Sequence, residues 1–497
     1  MERNASLKSL SRFRPTGLSS PGHLAAIIIL LAATALALAR PMIAYDNWSY
    51  HFPFSARLWN IGNSNNTFRF SDFLEARWIG FPKLWEWLQG LFWACTGSLR
   101  AMIFPQIILC IAYFRYVSRR LKIPASLLVL GFFASPMLMI HYQSLYVDLP
   151  AGLCLCLGFF ILMKEFDSEE RRSLRSSAAG IMFLGLAGNM KVQAMLAVVL
   201  FAALFLSLAL IQFGISKRSG RIIILVVVGA LASSVSVISN SVRTGNPIYP
   251  MQVSVHGTTV FDGPEDPRAD AHLPGYDLGE QVKVVPPQPI AFVLSATELD
   301  WTIRGVSPWY NLDSYSGNSP RRGEPSRTGG WGWLFMFLNS ALLIIQLARL
   351  RFEKDGEQKR LVICISVLFV ATSFLPRSHE LRYWLYLPLI LLPINIRYCV
   401  RRFPAKYLAL PLTLVTAYGI AQAVLSPTSH LLVQRPAPPS KAAAIQLPDD
   451  LAAGLRTSGR YCADDPLLFR YSTAITGMPA VLSMRPEDCV QGLSAPR

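Results

Sequence analysis

Charged residues are scarce in this sequence: Asp, Glu, Lys and Arg together make 15% of 497 residues, where soluble domains carry about 25%. Carboxylates are scarcer than cations, 30 Asp and Glu against 47 Lys and Arg, for a formal net charge of +17. Cysteine is sparse, and no Cys/His group has the spacing of a zinc site. No metal site and no cofactor are therefore expected. No internal repeat or low-complexity tract stands out, which leaves no basis for a repeat architecture.

What fills the chain instead is apolar sequence, 52% of residues. A bilayer span needs about 20 such residues in a row, and segments such as 193–213 and 222–240 meet that length without an internal charge. The expected spans are 23–43, 99–117, 125–142, 145–163, 177–190, 193–213, 222–240, 331–349, 361–376, 382–399 and 405–425. The fold class is thus an all-α polytopic membrane bundle of about eleven helices. Residues 1–22 form a cytoplasmic tail, 23–425 the membrane domain, and 426–497 a small extracytoplasmic tail.

The excess of positive charge does not point to nucleic acid. A nucleic-acid surface would gather its cations on one folded domain, whereas here they fall in short clusters between apolar runs. Alternate connections carry them: Arg12 and Arg14, then Arg115, Arg119, Arg120 and Lys122, then Lys164, Arg171, Arg172 and Arg175. Lys217, Arg218 and Arg221 follow, then Arg349 to Arg360, and Arg397, Arg401, Arg402 and Lys406. By the positive-inside rule these connections are cytoplasmic, so the N-terminus lies inside and the C-terminus outside. All eleven Trp fall in the opposite, outer segments or at outer helix ends, which implies a thick, structured outer face partly buried in headgroups.

Three outer segments are too long to be turns: 44–98, 241–330 and 426–497. The first holds two candidate interfacial helices. One runs from Trp48 to Trp59, where Pro53 should kink it. In the other, over 81–97, Lys83 and Glu86 lie on one side while Trp85, Leu88, Phe92 and Cys95 repeat at helical spacing. Amphipathic helices of this kind lie in the headgroup plane. The acidic residues Asp262, Glu265, Asp266 and Asp270 read as a solvated loop. Six of the eight Cys sit in or beside spans. The other two, Cys462 and Cys489, fall in the outer tail, where a disulfide is expected to persist.

Ionisable residues near apolar spans read as functional, and here they share one depth. Asp46 follows the first span, His141 and Asp148 flank the turn between the third and fourth, and Lys191 follows the fifth. Arg243 follows the seventh, while His379, Glu380 and Arg382 precede the tenth. All map to the outer boundary, and none to the midplane that a transporter site requires. A carboxylate can take the proton of an attacking hydroxyl, and Lys or Arg can hold a phosphate and stabilise its departure. That set suits glycosyl transfer from a lipid-linked phosphosugar.

Motifs in chain order carry a resemblance. Tyr45-Asp46-Asn47-Trp48-Ser49-Tyr50-His51-Phe52-Pro53 resembles the opening of bacterial GT-C glycosyltransferases. Phe81-Pro82, Tyr146-Val147-Asp148-Leu149-Pro150 and Gly188-Asn189-Met190-Lys191 follow, then Thr244-Gly245-Asn246-Pro247, Gly329-Gly330-Trp331-Gly332 and Arg382-Tyr383. The superfamily includes protein O-mannosyltransferases and the lipid A aminoarabinose transferase. The resemblance implies a polyprenyl-phosphate-linked sugar donor, surrounding membrane lipids, and an extracytoplasmic glycan, glycolipid or protein acceptor. It implies Asp46 as catalytic base, Asp148 as a supporting or acceptor-side carboxylate, and Lys191 and Arg382 as ligands of the donor phosphate. His51, Arg243 and Glu380 complete the substrate-binding set. Asn47 stands where some relatives carry a second acidic residue, which weakens the argument for a metal-dependent site and leaves the acceptor class open. The expected activity is inverting glycosyl transfer in a bacterial cytoplasmic membrane; the alternatives are a polysaccharide or lipid transporter, or a non-catalytic scaffold of the same fold.

Overall fold

The computed structural model describes residues 21–39, 50–61, 70, 72–166, 174–255, 258–265, 276–277, 283–284, 287–297, 331–425, 460–462 and 481–483. These residues are overwhelmingly helical, and the strands among them form three two-stranded sheets. The protein is a polytopic helical membrane protein. Among the described residues, each of the eleven expected apolar segments lies largely on helix. By length and apolarity, however, only 3 helices qualify alone as spans, or up to 5 if each of two bent pairs is one span.

Both bends have a local cause. Helices Ala125–Phe133 and Pro136–Gln143 meet at 92°, so the expected straight span over 125–142 is broken. Pro136 begins the second helix, where its missing N–H is harmless but where it cannot continue the first. Helices Lys217–Ser233 and Val235–Thr244 meet at 50°. At that joint the Ser233 and Ser234 hydroxyls donate back to Gly229 and Ala230 carbonyls, a bond pattern that bends helices. Hydrophobicity alone records neither break, because the sequence stays apolar across it.

Helix Asp148–Leu162 is buried along its whole length, as is nearly all of helix Tyr386–Val400. Such helices, apolar on every side, form the centre of a bundle. Gly152 lets them approach: a Cβ there would lie 3.1 Å from that of Leu385. Beside them an amide ladder crosses three helices. Gln358 donates to Gln346, Gln346 to Asn395, and Asn395 to Asn339, all at 2.7 to 2.8 Å. At the far ends of these helices Arg397 bridges Asp355 and Glu357, and Glu357 also takes Arg120. Burial alone would raise the Asp355 carboxyl, but Arg397 and Arg401 outweigh it and hold it below the usual range.

The first long connection differs from its expected form. Helix Phe52–Leu58 has Pro53 in its first turn, so Pro53 starts the helix and kinks nothing. Phe52 to Ala56 are all buried, and helix Leu84–Thr96 turns Glu86, Gln89 and Trp93 inward. Both helices pack on the protein, while Trp87 and Cys95 of the second stay exposed. Gly90 allows the close contact, since a Cβ there would sit 2.4 Å from the Trp59 ring. Trp85, Trp93, Trp331 and Trp384 are likewise buried in protein rather than in a membrane interface. Glu86 comes inside because His51 meets it there, at 2.7 Å.

The described opening of the second long connection, up to Glu265, is docked on the first. Arg77 grips Glu265 with two hydrogen bonds of 2.6 and 3.1 Å, and Glu265 is only 5% exposed. The expectation that Glu265 belongs to a solvated acidic loop is therefore wrong for this residue: a guanidinium fork compensates its buried charge. Asn240 donates to the Gly80 and Tyr249 carbonyls. Asp266 and Asp270 lie outside the described residues.

Candidate active site

Three breaks in helical structure place the expected charges. Asp148 opens helix Asp148–Leu162, whose N-cap position is Val147 and carries no side-chain cap bond. Its carboxylate is therefore engaged elsewhere. Lys191 is a single extended residue, at φ −155° and ψ 136°, between helices Leu174–Met190 and Val192–Phe213. Arg382 lies in the 3-10 turn Leu381–Trp384, directly before helix Tyr386–Val400. Each charge thus sits where a helix stops or starts, at the same end of the bundle.

These breaks meet. Lys191 Nζ forms an ion pair with Asp148 Oδ1, and the two side chains are 14% and 4% exposed. The ammonium does not snorkel toward an interface; it points into the protein. The same Nζ lies 4.0 Å from the centroid of the Tyr383 ring, a desolvated cation–π contact. The Arg382 guanidinium stands 5.0 Å from that ring and 5.9 Å from the ring of Tyr146, and Nη2 donates to the Tyr383 hydroxyl at 3.2 Å. Glu380 lies 3.8 Å from Arg382 and 3.5 Å from Arg377. Among the described residues, Lys191, Arg377 and Arg382 thus share the cluster with Asp148 and Glu380.

His141 is fully buried behind this cluster, with Asp148, Arg382 and Lys191 as its charged neighbours. Its ring lies 5.6 Å from Tyr146, and on another side the His51 ring lies 5.9 Å from Tyr146. Tyr146 is thereby the junction between the first long connection and the cations. Burial pushes the Tyr383 phenol above its usual range, against the pull of Arg382. Burial likewise lowers the His379 imidazole, which Glu380 only partly offsets.

The expected set is thus partly assembled. Asp148, Lys191, Arg382 and Glu380 come together, and His51 joins through Tyr146. Arg243 does not join: it is exposed at the end of helix Val235–Thr244, and the charge it acts on is Lys83. Burial draws the Lys83 ammonium down to about 8, with Glu86 opposing and Arg243 and Arg57 assisting. Asp46 and Cys489 lie outside the described residues; Cys462 falls on strand Arg460–Cys462. The residues missed from the sequence are Tyr146, Tyr383, Arg377 and Glu86. Tyr146 and Tyr383 stood inside the quoted motifs, each beside a chosen charge, and adjacency was the signal available. Among the described residues no three His, Cys, Asp or Glu side chains converge as a metal site would require.

A polytopic helical membrane protein with an ionic cluster at one end of its helices is the class that these features define. No family model matches the sequence, and no curated protein does. Two solved structures are similar to it. ArnT from Cupriavidus metallidurans bound to undecaprenyl phosphate has a TM-score of 0.39 and 11% identity, over 81% of this chain and 79% of that one. The apo form of the same protein has a TM-score of 0.37 and 12% identity, with the same coverage of 81% and 79%.

Proposed function

We propose that this chain is a GT-C-type glycosyltransferase that moves a sugar from a polyprenyl-phosphate donor to an acceptor outside the bacterial cytoplasmic membrane. The observation that carries the reading is the convergence of Asp148, Lys191 and Arg382. These residues come from distant stretches of chain and meet as one partly exposed cationic cluster at the helix ends. The two aromatic faces of Tyr146 and Tyr383 would keep the guanidinium in a defined plane, as bidentate contact with phosphate needs.

In this reading the acceptor hydroxyl attacks the anomeric carbon from the face opposite the phosphate. Its oxygen forms the new bond to carbon, the carbon–oxygen bond to phosphate breaks, and the configuration inverts. Asp46 takes the hydroxyl proton. Lys191 and Arg382 stabilise the negative charge that grows on the departing polyprenyl phosphate, while Asp148 holds Lys191 in place. Asp46 precedes His51 by five residues, a stretch that spans at most about 18 Å, so the base can come from chain tethered beside Tyr146. The N-terminus would lie in the cytoplasm and the tail after 425 outside.

Replacing Asp46 by Asn tests the assignment, since the amide keeps the shape but takes up no proton. Transfer should cease while expression, membrane insertion and polyprenyl-phosphate binding persist. A normally expressed Asp46→Asn variant with full transfer would overturn the role of Asp46.

A further inference from the structure

The His51–Glu86 pair does more than pack two helices. His51 Nδ1 and Glu86 Oε1 are 2.7 Å apart, and the side chains are 1% and 3% exposed. Enclosing a carboxylate this completely costs several kcal/mol even with a partner. The contact between helices Phe52–Leu58 and Leu84–Thr96 has no need of that cost. It already holds Phe52, Phe54, Trp85 and Trp93 in the core, a Ser55 hydroxyl bond to the Glu86 carbonyl, and a Trp59 indole bond to the Trp87 carbonyl. Moreover, His51 Nε2 and Glu86 Oε2 are both buried without a hydrogen-bond partner among the described residues. A pair so costly and incompletely satisfied in a native structure calls for a role beyond packing.

Its placement supplies one. The His51 ring contacts Tyr146 at 5.9 Å, inclined by 60°. Tyr146 also neighbours the buried His141 ring and the Arg382 guanidinium. Glu86 fixes His51, His51 limits the tilt of Tyr146, and Tyr146 forms one wall of the slot whose other wall is Tyr383. We propose that His51 and Glu86 are positioning residues that act through Tyr146 to set the plane of Arg382 toward the donor phosphate. This inference rests on reading Lys191 and Arg382 as the donor-phosphate site. It gives His51 a role other than direct contact with substrate.

The test uses purified full-length protein in detergent and polyprenyl phosphate as the probe. Because one unpaired partner would destabilise the fold, both are replaced together: His51→Leu with Glu86→Leu, an exchange that buried pairs tolerate. The double variant should unfold near the wild-type temperature yet bind polyprenyl phosphate about tenfold more weakly, the loss expected when one charged hydrogen bond goes out of plane. The donor KM should rise and kcat should fall with it, because Arg382 also stabilises the charge on the departing phosphate. Tyr146→Phe, which keeps the ring, should recover most of the affinity that Tyr146→Ala loses. Tyr146→Ala should lose as much as the double variant, and combining the two should add nothing further, as expected of groups acting in series. Unchanged affinity in the double variant, or losses that add, would overturn the inference while leaving the donor site in place. A folded wild-type protein that does not bind polyprenyl phosphate would overturn the donor-site reading, and this inference with it.

Discussion

The Lys191–Asp148 pair offers a prediction in which stability and ligand binding separate. Asp148 is 4% exposed and Lys191 14%, so removing one member leaves the other charge in poor solvent. Breaking a buried pair costs about 3–5 kcal/mol. The two halves should not be equal. In Asp148→Asn the ammonium keeps the face of Tyr383 at 4.0 Å, a contact that recovers about 1 kcal/mol. That variant should lose about 2–4 kcal/mol. In Lys191→Met the nearly enclosed carboxylate keeps only more distant cations, and the loss should reach the full range. The double variant Lys191→Met with Asp148→Leu should return close to wild-type stability, because neither charge remains to be solvated. Donor binding should behave differently. A charge-assisted hydrogen bond contributes about 1.5–3 kcal/mol, or a tenfold to hundredfold range in affinity. That loss should persist in the stable double variant. Thermal unfolding in detergent, followed by polyprenyl-phosphate titration well below the transition, measures both. A double variant as unstable as Lys191→Met, or one that binds like wild type, would refute the reasoning.

Other consequences can be checked separately. Arg77→Met strips the 5% exposed Glu265 of its guanidinium and should undock the second long connection by about 2–3 kcal/mol; limited proteolysis within residues 250–265 should quicken, and an unchanged rate would contradict this. Lys83 is drawn from 10.5 to about 8 in the folded protein, so between those values the unfolded chain binds its proton more tightly. Stability should therefore gain as pH rises from about 8 toward 10.5 and be lost as it falls again; Lys83→Met should flatten that slope, and equal slopes in both proteins would rule the lysine out. Non-reducing peptide mapping should recover Cys462 joined to Cys489, with the six cysteines at 95, 110, 154, 156, 364 and 399 as free thiols. Alkylation of Cys462 and Cys489 without reduction would dismiss the disulfide.

The helices were legible because each apolar run is long and bounded by charge. Their interruptions were not, since Pro136 and Ser234 lie inside apolar stretches and act through backbone geometry rather than polarity. The cationic cluster was legible for a related reason: Asp148, Lys191 and Arg382 all flank spans, and span ends at one depth have few places to go. Depth does not fix direction, however. Arg243 lies at a comparable helix end yet faces Lys83, and nothing in its local sequence distinguishes it from Arg382. Glu86 and Glu265 were misread as solvated because a carboxylate is usually exposed. Their partners, His51 and Arg77, lie 35 and 188 residues away. Only the folded chain reveals such compensation.

The central claim is that the cluster around Lys191 and Arg382 handles a lipid-linked phosphosugar during turnover. Incubating the detergent-solubilised full-length protein with polyprenyl phosphate carrying a radiolabelled sugar tests it most directly. In wild type the label should leave the lipid, to an acceptor or to water, and the stable double variant Lys191→Met with Asp148→Leu, like Arg382→Ala, should lose this release while staying folded. Release by those variants at the wild-type rate would contradict it.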